Sequence, residues 1–313
     1  MTRTAVGHFV SDEARTRFLD AYDRAMHLWP APHRELDVET SYGTVHVHHH
    51  DPAPEDAPDP APEDAPEDGR EPVVLLHGHA GHPSNWHPQI AALGARHPVY
   101  AVGTLDDPGR SVQHTAAPGS RENAAWLGEV LAGLGLHRVH LVGVSYGGWL
   151  ALNQAVHAPE RLATVTALDP GGIEKVPARF YAHMTAGLFG MLAPRRLRPA
   201  LGRLLANPAL AAPPEMIAPL MLGMRTYKPA ARPAARPFTD DELRSLTLPA
   251  LVLIGRRSAL LRPRRVHARV TALIPGVRAE IVDRAGHGLN LERPDLVNER
   301  LLEFIAATPP AAF

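Results

Sequence analysis

Hydrophobic positions along the chain fall into short apolar runs separated by longer stretches with helical spacing. The apolar runs predict strands at 72–76, 98–103, 138–144, 162–168, 249–254 and 277–283. The other stretches predict helices at 11–29, 86–95, 121–135, 146–157, 263–273 and 294–306. Because nearly continuous apolar strands alternate with helices, the pattern indicates an α/β fold with a mostly parallel, twisted sheet and helices on both faces.

A further pair of strands is predicted at 35–50, where apolar and polar residues alternate as in a half-buried strand. The second strand of this pair carries four histidines: His46, His48, His49 and His50. Alternation along the strand spreads these side chains over both faces, and no group of carboxylates is evident beside them. The sequence therefore predicts that these histidines bind no metal.

Two segments interrupt the alternation of strands and helices. Residues 51–71 are a near-repeat of APED without a large apolar side chain, which predicts an acidic, proline-rich, disordered loop. Residues 171–245 are helical in composition but broken by prolines, which predicts a cap inserted between two strands. The segments 1–50, 72–170 and 246–313 then form the core domain. The cap contains five of the seven methionines: Met184, Met191, Met216, Met221 and Met224.

The composition of these two segments raises questions that the sequence leaves open. The methionines suggest an adaptable apolar pocket for an acyl group, or they pack the cap against the sheet. Residues 174–238 contain ten lysines and arginines and two acids, whereas residues 51–71 contain nine acids and one arginine. One hypothesis is that the basic cap attracts anionic substrates and that the acidic loop competes for it. The alternative is solvated surface charge.

Overall composition excludes several classes of protein. The chain has 313 residues and a net charge of −1, so no overall field points to nucleic acid or an anionic membrane. There is no cysteine, which excludes disulfides and thiolate chemistry and fits a reducing cytoplasm. Neither a signal peptide nor an apolar run of about 20 residues is evident. The sequence predicts a cytoplasmic protein that acts on small molecules and leaves its oligomeric state open.

The strongest chemical motif is a G-x-S-x-G sequence centred on Ser145, between an apolar strand and a helix. That context is typical of a nucleophile elbow, a strained turn that exposes the serine hydroxyl at the carboxyl end of the sheet. Gly143 and Gly147 meet the need for very small neighbours. The turn also brings the backbone N–H of Tyr146 to a helix N-terminus, where it would stabilise a developing oxyanion.

Two further motifs complete the predicted chemistry. His77, Gly78 and His79 end the first long strand, and the backbone N–H of His79 is the predicted second donor of the oxyanion hole. His287 follows the last strand in the sequence AGHG. Because a nucleophile elbow precedes it in the chain, His287 is predicted to be the general base that activates Ser145.

The chain resembles bacterial carboxylesterases of the naproxen-esterase type, within the α/β-hydrolase superfamily. The resemblance runs from about residue 18 to 305 and is carried by FLDAYDRAMHLWPAP, VVLLHG, AVGTLDDPGRS, HLVGVSYGGWLALN, FTDDELRS and AGHGLNLERPDLVNERLLEF. It implies hydrolysis of carboxylic esters without a metal or organic cofactor. It also implies an acyl-enzyme on Ser145.

The position of the triad acid is one of the departures from the family pattern. The resemblance implies a glutamate or aspartate as triad acid where this chain has Ser258, preceded by Arg256 and Arg257. Either guanidinium, if it pointed at His287, would oppose the imidazolium that forms there. Asp283, four residues before His287, closes a strand and is expected to face solvent.

Asp169 is the alternative acid that the sequence favours, since it ends the strand after the nucleophile helix, where some α/β-hydrolases carry their acid. Pro170 is expected to keep Asp169 extended. Three functions remain open at this point: an ester hydrolase that uses Asp169, an acid-deficient or non-catalytic relative, and a thioesterase or lactonase.

Overall fold

The computed structural model describes residues 6–30, 32–51, 70–229 and 235–308. Residues 52–69 of the acidic loop predicted at 51–71 lie outside the described residues, and so does the hypothesis about the charge of this loop. The strands are β1 (His8–Phe9), β2 (Arg34–Thr40), β3 (Gly43–His50), β4 (Val73–Leu76), β5 (Val99–Val102), β6 (Val112–Gln113), β7 (Val139–Val144), β8 (Leu162–Leu168), β9 (Tyr227–Lys228), β10 (Ala250–Gly255) and β11 (Arg278–Val282).

The helices alternate with these strands as predicted. They are α1 (Asp12–Met26), α2 (His87–Gly94), α3 (Ser120–Gly133), α4 (Tyr146–His157), α5 (Ala178–Gly190), α6 (Arg198–Leu205), α7 (Pro214–Thr226), α8 (Asp240–Arg244), α9 (Pro263–Leu273), α10 (Leu289–Glu292) and α11 (Pro294–Ala306). Short 3₁₀ helices lie at Pro83–Trp86, Arg195–Leu197 and Pro208–Leu210. Among the residues that the structure describes, no helix is both long enough and apolar enough to cross a bilayer.

The main sheet has the strand order β2-β3-β5-β4-β7-β8-β10-β11, with β6 paired to β3. All pairings from β5 to β11 along this path are parallel, whereas β3 is antiparallel to both β2 and β5. The prediction of a mostly parallel sheet is confirmed. The parallel strands meet with their carboxyl ends at one edge, which is where ligands of open α/β sheets bind.

The core consists of two apolar layers, one on each face of the sheet. In β4, Val74 and Leu76 point into one layer while Val73 and Leu75 point into the other, as the two-residue period of a strand requires. Side chains of α3, α4 and α9 fill the first layer, and side chains of α1, α2 and α11 fill the second. Both faces of the sheet are therefore covered by helices, as predicted.

The expectation of a half-buried strand in 35–50 was wrong for β3. Its four histidines are all buried: His46, His48, His49 and His50. One face is covered because the ring of Tyr22 from α1 lies 5.8 Å from that of His48. On the other face the ring of Tyr100 stacks on His49 at 4.2 Å. An alternating pattern predicts one exposed face, but neighbouring elements cover both faces of β3.

The cap region is helical, as its composition predicts, and it contacts the N-terminal segment. Helix α7 packs on α1, and β9 pairs with β1 in a separate two-stranded sheet. The ring of Phe9 lies 5.1 Å from both Phe18 and Tyr227, which joins the three segments. The boundaries between cap and core remain a prediction.

Buried histidines predict that acid destabilises the fold. Burial lowers the pKa of His48 to about 2 and the pKa values of His82 and His140 to about 3. Histidine in an unfolded chain has a pKa of about 6.5, so the unfolded state binds more protons once the pH falls below that value. Each fully buried histidine then costs up to about 1.4 kcal/mol of unfolding free energy per pH unit.

We therefore expect the urea concentration at the midpoint of unfolding to decrease as the pH is lowered from 7 to 5. His140→Gln should reduce the slope of that midpoint against pH, whereas substitution of the exposed His137 should leave it unchanged. A midpoint that stays constant or rises on acidification would contradict the expectation.

Candidate active site

Ser145 lies at a sharp turn between β7 and α4, with φ of 57° and ψ of −113°. The turn brings backbone groups so close that side chains do not fit beside it. A Cβ on Gly143 would overlap the carbonyl oxygen of Gly147, and a Cβ on Gly147 would overlap the carbonyl oxygen of Leu76. The geometry of this turn therefore imposes the small residues that the sequence predicts at Gly143 and Gly147.

The tightness of this turn predicts the cost of one added methyl group. Gly147→Ala should lower the free energy of unfolding by about 1–3 kcal/mol or more, because the methyl group meets backbone that cannot rotate away. Gly128→Ala in α3 is the matched control, since its Cβ would lie 3.6 Å from the nearest atom. This control should be neutral or stabilising by up to about 1 kcal/mol. Equal urea midpoints for the two variants would be inconsistent with a strained elbow.

Ser145, His287 and Asp169 form a continuous chain of hydrogen bonds. The hydroxyl of Ser145 lies 2.9 Å from His287 Nε2, and His287 Nδ1 lies 2.6 Å from Asp169 Oδ2. The imidazole is thus held between a hydroxyl and a carboxylate. This is the arrangement in which Nδ1–H donates to the acid and Nε2 accepts the proton of the nucleophile.

Asp169 is fully buried at the end of β8, and three donors surround its carboxylate. The backbone N–H of Gly255 donates to Oδ1 at 3.0 Å, and the hydroxyl of Ser258 donates to Oδ2 at 2.5 Å, beside the bond from His287. The extended conformation that Pro170 predicts for Asp169 is wrong. Its φ is 45°, and aspartate is one of the residues that adopt this left-handed conformation with little strain.

The residues around Ser258 do not oppose the imidazolium. Arg256 pairs with Asp283, whose side chain is 70% exposed, which confirms that Asp283 faces solvent. Arg257 donates to the carbonyl oxygens of Arg203 and Leu204 at the end of α6. Both guanidinium groups therefore have partners other than the imidazole.

The loop that contains His79 passes directly beside the serine. A Cβ on Gly78 would lie 3.2 Å from the Cβ of Ser145. The loop is held by Asp107, which accepts the backbone N–H of Ala80 at 3.0 Å and contacts His79 Nδ1 at 2.8 Å. In the sequence Asp107 is visible only as part of the family motif TLDDPG, which does not reveal this contact. The oxyanion-hole role of the His79 amide remains a prediction.

Tyr146, the other predicted oxyanion donor, is the first residue of α4, so its backbone N–H lies at a helix N-terminus. Its phenol donates to Asp106 Oδ2 at 3.0 Å, and its ring stacks on Trp149 at 5.6 Å. These contacts fix the side chain and leave its backbone amide as the group that the prediction uses.

A second carboxylate, not identified from the sequence, lies at the end of α10, the short helix that follows His287. Glu292 accepts the backbone N–H of Gly286 at 2.9 Å, next to His287. Burial raises the pKa of the Glu292 carboxyl, and the charge of Asp169 adds to this effect. Only the motif NLERP could have pointed to Glu292, and it carried no chemical reason to select this residue.

A cleft of about 300 Å³ opens over Ser145 and His287, beneath the cap. All five cap methionines line it: Met184, Met191, Met216, Met221 and Met224. Met184 and Met224 are more than half exposed, so they border the cleft and do not pack the cap on the sheet. The apolar-pocket interpretation of these methionines is therefore supported, and Met216 is the one of the five that is buried.

Residues with metal-ligating geometry lie elsewhere in the described chain. His33, Glu35 and His48 form such a group, and none of them lines the cleft. The catalytic chemistry that the cleft supports is thus nucleophilic, with a hydroxyl, an imidazole and a carboxylate in line.

Comparison with known proteins gives the same picture. The model of a family described as the alpha/beta hydrolase family matches residues 73–300. Carboxylesterase YbfK of Bacillus subtilis (strain 168) is 29% identical over 307 residues, which cover 95% of this chain and 96% of the relative. The uncharacterized carboxylesterase nap of the same strain is 29% identical over 296 residues and covers 93% of each chain.

Two solved structures are similar to this fold over nearly its whole length. The crystal structure of carboxylesterase CesB (YbfK) from Bacillus subtilis superposes with a TM-score of 0.79 at 28% identity and covers 95% of this chain and 100% of the other. The crystal structure of naproxen esterase (carboxylesterase NP) from the same species has a TM-score of 0.78 at 27% identity, with 95% and 99% coverage.

Proposed function

Because the chain belongs to the alpha/beta hydrolase family, we propose that it hydrolyses carboxylic esters of small molecules through an acyl-enzyme on Ser145. Its similarity to carboxylesterases over 93–95% of the chain supports the reaction class. The observation that carries the proposal is the hydrogen-bonded chain from Ser145 through His287 to Asp169.

In this proposal His287 acts first as a base and then as an acid. Nε2 takes the proton of Ser145 as the hydroxyl oxygen attacks the ester carbonyl, and later gives it to the leaving alcohol. Asp169 holds Nδ1–H and stabilises the imidazolium. Water then attacks the acyl-enzyme by the same route in reverse, which releases the acid and restores Ser145.

The oxyanion of each tetrahedral intermediate is assigned to the backbone N–H groups of His79 and Tyr146. The tight passage of the Gly78 loop beside Ser145 supports this assignment, as does the start of α4 at Tyr146. Asp107 is assigned a positioning role, since it holds the loop from behind through Ala80. The apolar lining of the cleft favours esters with an apolar acyl or alcohol part.

The acid-deficient alternative is disfavoured by the contact between Asp169 and His287. The acid-deficient alternative predicts higher turnover for Ser258→Glu, which restores the family pattern, whereas the present proposal predicts lower turnover. Because the Ser258 hydroxyl lies 2.5 Å from Asp169 Oδ2, a glutamate there adds a second carboxylate to a buried site. Like charges this close cannot both ionise, so we expect turnover to fall at least about tenfold. A gain in kcat would instead show that the native site lacks an acid.

A substrate panel tests the proposed reaction and the thioesterase and lactonase alternatives together. Initial rates should be measured on p-nitrophenyl butyrate, on a butyryl thioester and on a γ-lactone, with EDTA present throughout. We expect the highest kcat/KM on the oxygen ester. Turnover of the thioester or lactone alone would replace this proposal, and no turnover of any of the three would refute it.

The reducing cytoplasm is proposed as the location because the cysteine-free composition fits it. Fractionation of cells that express the chain from its own start, followed by immunoblotting, tests this part. Recovery in the periplasmic or secreted fraction would contradict it.

A further inference from the structure

The pairing of β2 with β3 brings histidines and carboxylates onto one face of the sheet. Glu35 lies opposite His48 in this antiparallel ladder, and Asp37 lies opposite His46. Directly opposite residues project to the same side, so these four side chains share a face. The expectation that no carboxylates lie beside the histidines was wrong, because the register of β2 with β3 supplies them.

The atoms on this face have the spacing of a ligand set. Single nitrogen or oxygen atoms of His33, Glu35 and His48 lie within 4.8 Å of one another. His46 lies outside this mutual spacing, but its Nε2 lies 3.5 Å from Glu35 Oε2, which makes it the candidate for a fourth donor. His33 is half-buried and Glu35 is exposed, so both side chains have room to rotate towards a common ion, for which bonds of about 2 Å are required.

The two buried histidines are each held by one ring nitrogen only. His46 Nδ1 contacts Asp37 Oδ1 at 2.7 Å, while its Nε2 makes no hydrogen bond. His48 Nε2 contacts the hydroxyl of Tyr22 at 2.8 Å, while its Nδ1 makes no hydrogen bond. A buried nitrogen without a hydrogen bond is costly, and a ring fixed through its other nitrogen is the usual arrangement of a metal-binding histidine.

The charge state of the site also suits a cation. The nearby cation Arg110 is paired with Asp23 and lies 5.9 Å from the ring of Tyr22. Glu35 and Asp37 add two negative charges on this face.

We propose that His33, Glu35, His46 and His48 bind one divalent transition-metal ion, and that Zn²⁺ is the ion the set fits best. Three imidazoles and one carboxylate are nitrogen and oxygen donors that Zn²⁺ accepts in tetrahedral geometry. The ion would join the edge strand β2 to β3 beneath α1. Because none of the four residues lines the catalytic cleft, its role is structural and the proposal does not depend on the esterase function.

The test uses the untagged full chain, stripped with EDTA and dialysed. Zn²⁺ is titrated in competition with a chromophoric chelator, and Co²⁺ is added separately to record its visible d–d spectrum. We expect one equivalent of Zn²⁺, a tetrahedral Co²⁺ spectrum and a rise in Tm on adding Zn²⁺. Absence of a stoichiometric site, or an octahedral Co²⁺ spectrum only, would overturn the proposal.

Variants separate this site from other surface histidines. Glu35→Gln changes a partly exposed carboxylate and should keep the fold while weakening Zn²⁺ binding at least about tenfold. His48→Gln should abolish the site. If His48→Gln does not fold, the Zn²⁺ affinity of Glu35→Gln decides whether the site exists. His49→Gln is the matched control, because His49 lies on the opposite face of the same strand. Equal affinity in Glu35→Gln and the wild type would overturn the proposal.

Discussion

Replacing Ser145 with alanine is expected to lower kcat for ester hydrolysis by about 10⁶-fold, the loss observed when a triad serine is removed. Without the hydroxyl there is no nucleophile for His287 to activate, although the cleft and the oxyanion donors remain. Residual turnover should come only from these groups acting on water.

This variant should fold as the wild type does. Serine and alanine pay the same penalty for the positive φ of 57° at this position, and alanine adds no atom to the crowded turn. The free energy of unfolding, measured by urea titration, should therefore change by less than about 1 kcal/mol, and this measurement is the control. Retention of most of the activity in a folded Ser145→Ala protein would refute the assignment of the nucleophile.

Asp169→Asn is expected to cost about 10⁴-fold in kcat, by analogy with loss of the triad aspartate in serine proteases. The amide removes the charge that stabilises the imidazolium and can hold the imidazole in the wrong tautomer. Asparagine can still accept the N–H of Gly255 through Oδ1, and its amide NH2 can donate to the hydroxyl oxygen of Ser258, so the local structure should persist. KM should change much less than kcat, since Asp169 is buried behind His287.

The matched control is Asp283→Asn, the other aspartate that the sequence brought into consideration. Its exposed carboxylate pairs with Arg256 and makes no contact with His287 in the described structure. We expect its kcat to remain within about twofold of the wild type, as for most exposed ion pairs. A loss below a hundredfold in Asp169→Asn, or a comparable loss in Asp283→Asn, would contradict the assignment of the acid.

The fold and two members of the hydrogen-bonded chain could be predicted from the sequence, for a physical reason. Ser145 and His287 sit in motifs whose glycines are required by backbone geometry, and such requirements are visible in one dimension. The strands of the parallel sheet were visible because both of their faces are buried, which leaves long apolar runs.

The sequence favours Asp169 as the triad acid but does not establish that it contacts His287. Asp169 acts through a bond to a loop 118 residues away, and its carboxylate is also held by Gly255 and Ser258 from another strand end. These contacts exist only after β8 and β10 pair. Ser258 stands where the resemblance implies the triad acid, and its hydroxyl donates a hydrogen bond to Asp169.

The histidines of β3 show the same limit on another face of the sheet. Their burial depends on α1 and Tyr100, and their carboxylate neighbours depend on the register with β2. A one-residue change of register would turn Glu35 and Asp37 away from them. Local alternation contains none of this information.

The central claim is that Ser145 is a nucleophile activated by His287, which Asp169 holds. Its most direct test is the rate at which a fluorophosphonate modifies the protein, with the modified residue located by peptide mass spectrometry. The account predicts rapid, single-site labelling of Ser145 in the wild type, and labelling at least a hundredfold slower in Asp169→Asn. Labelling of another residue, or equal rates in the two proteins, would contradict it.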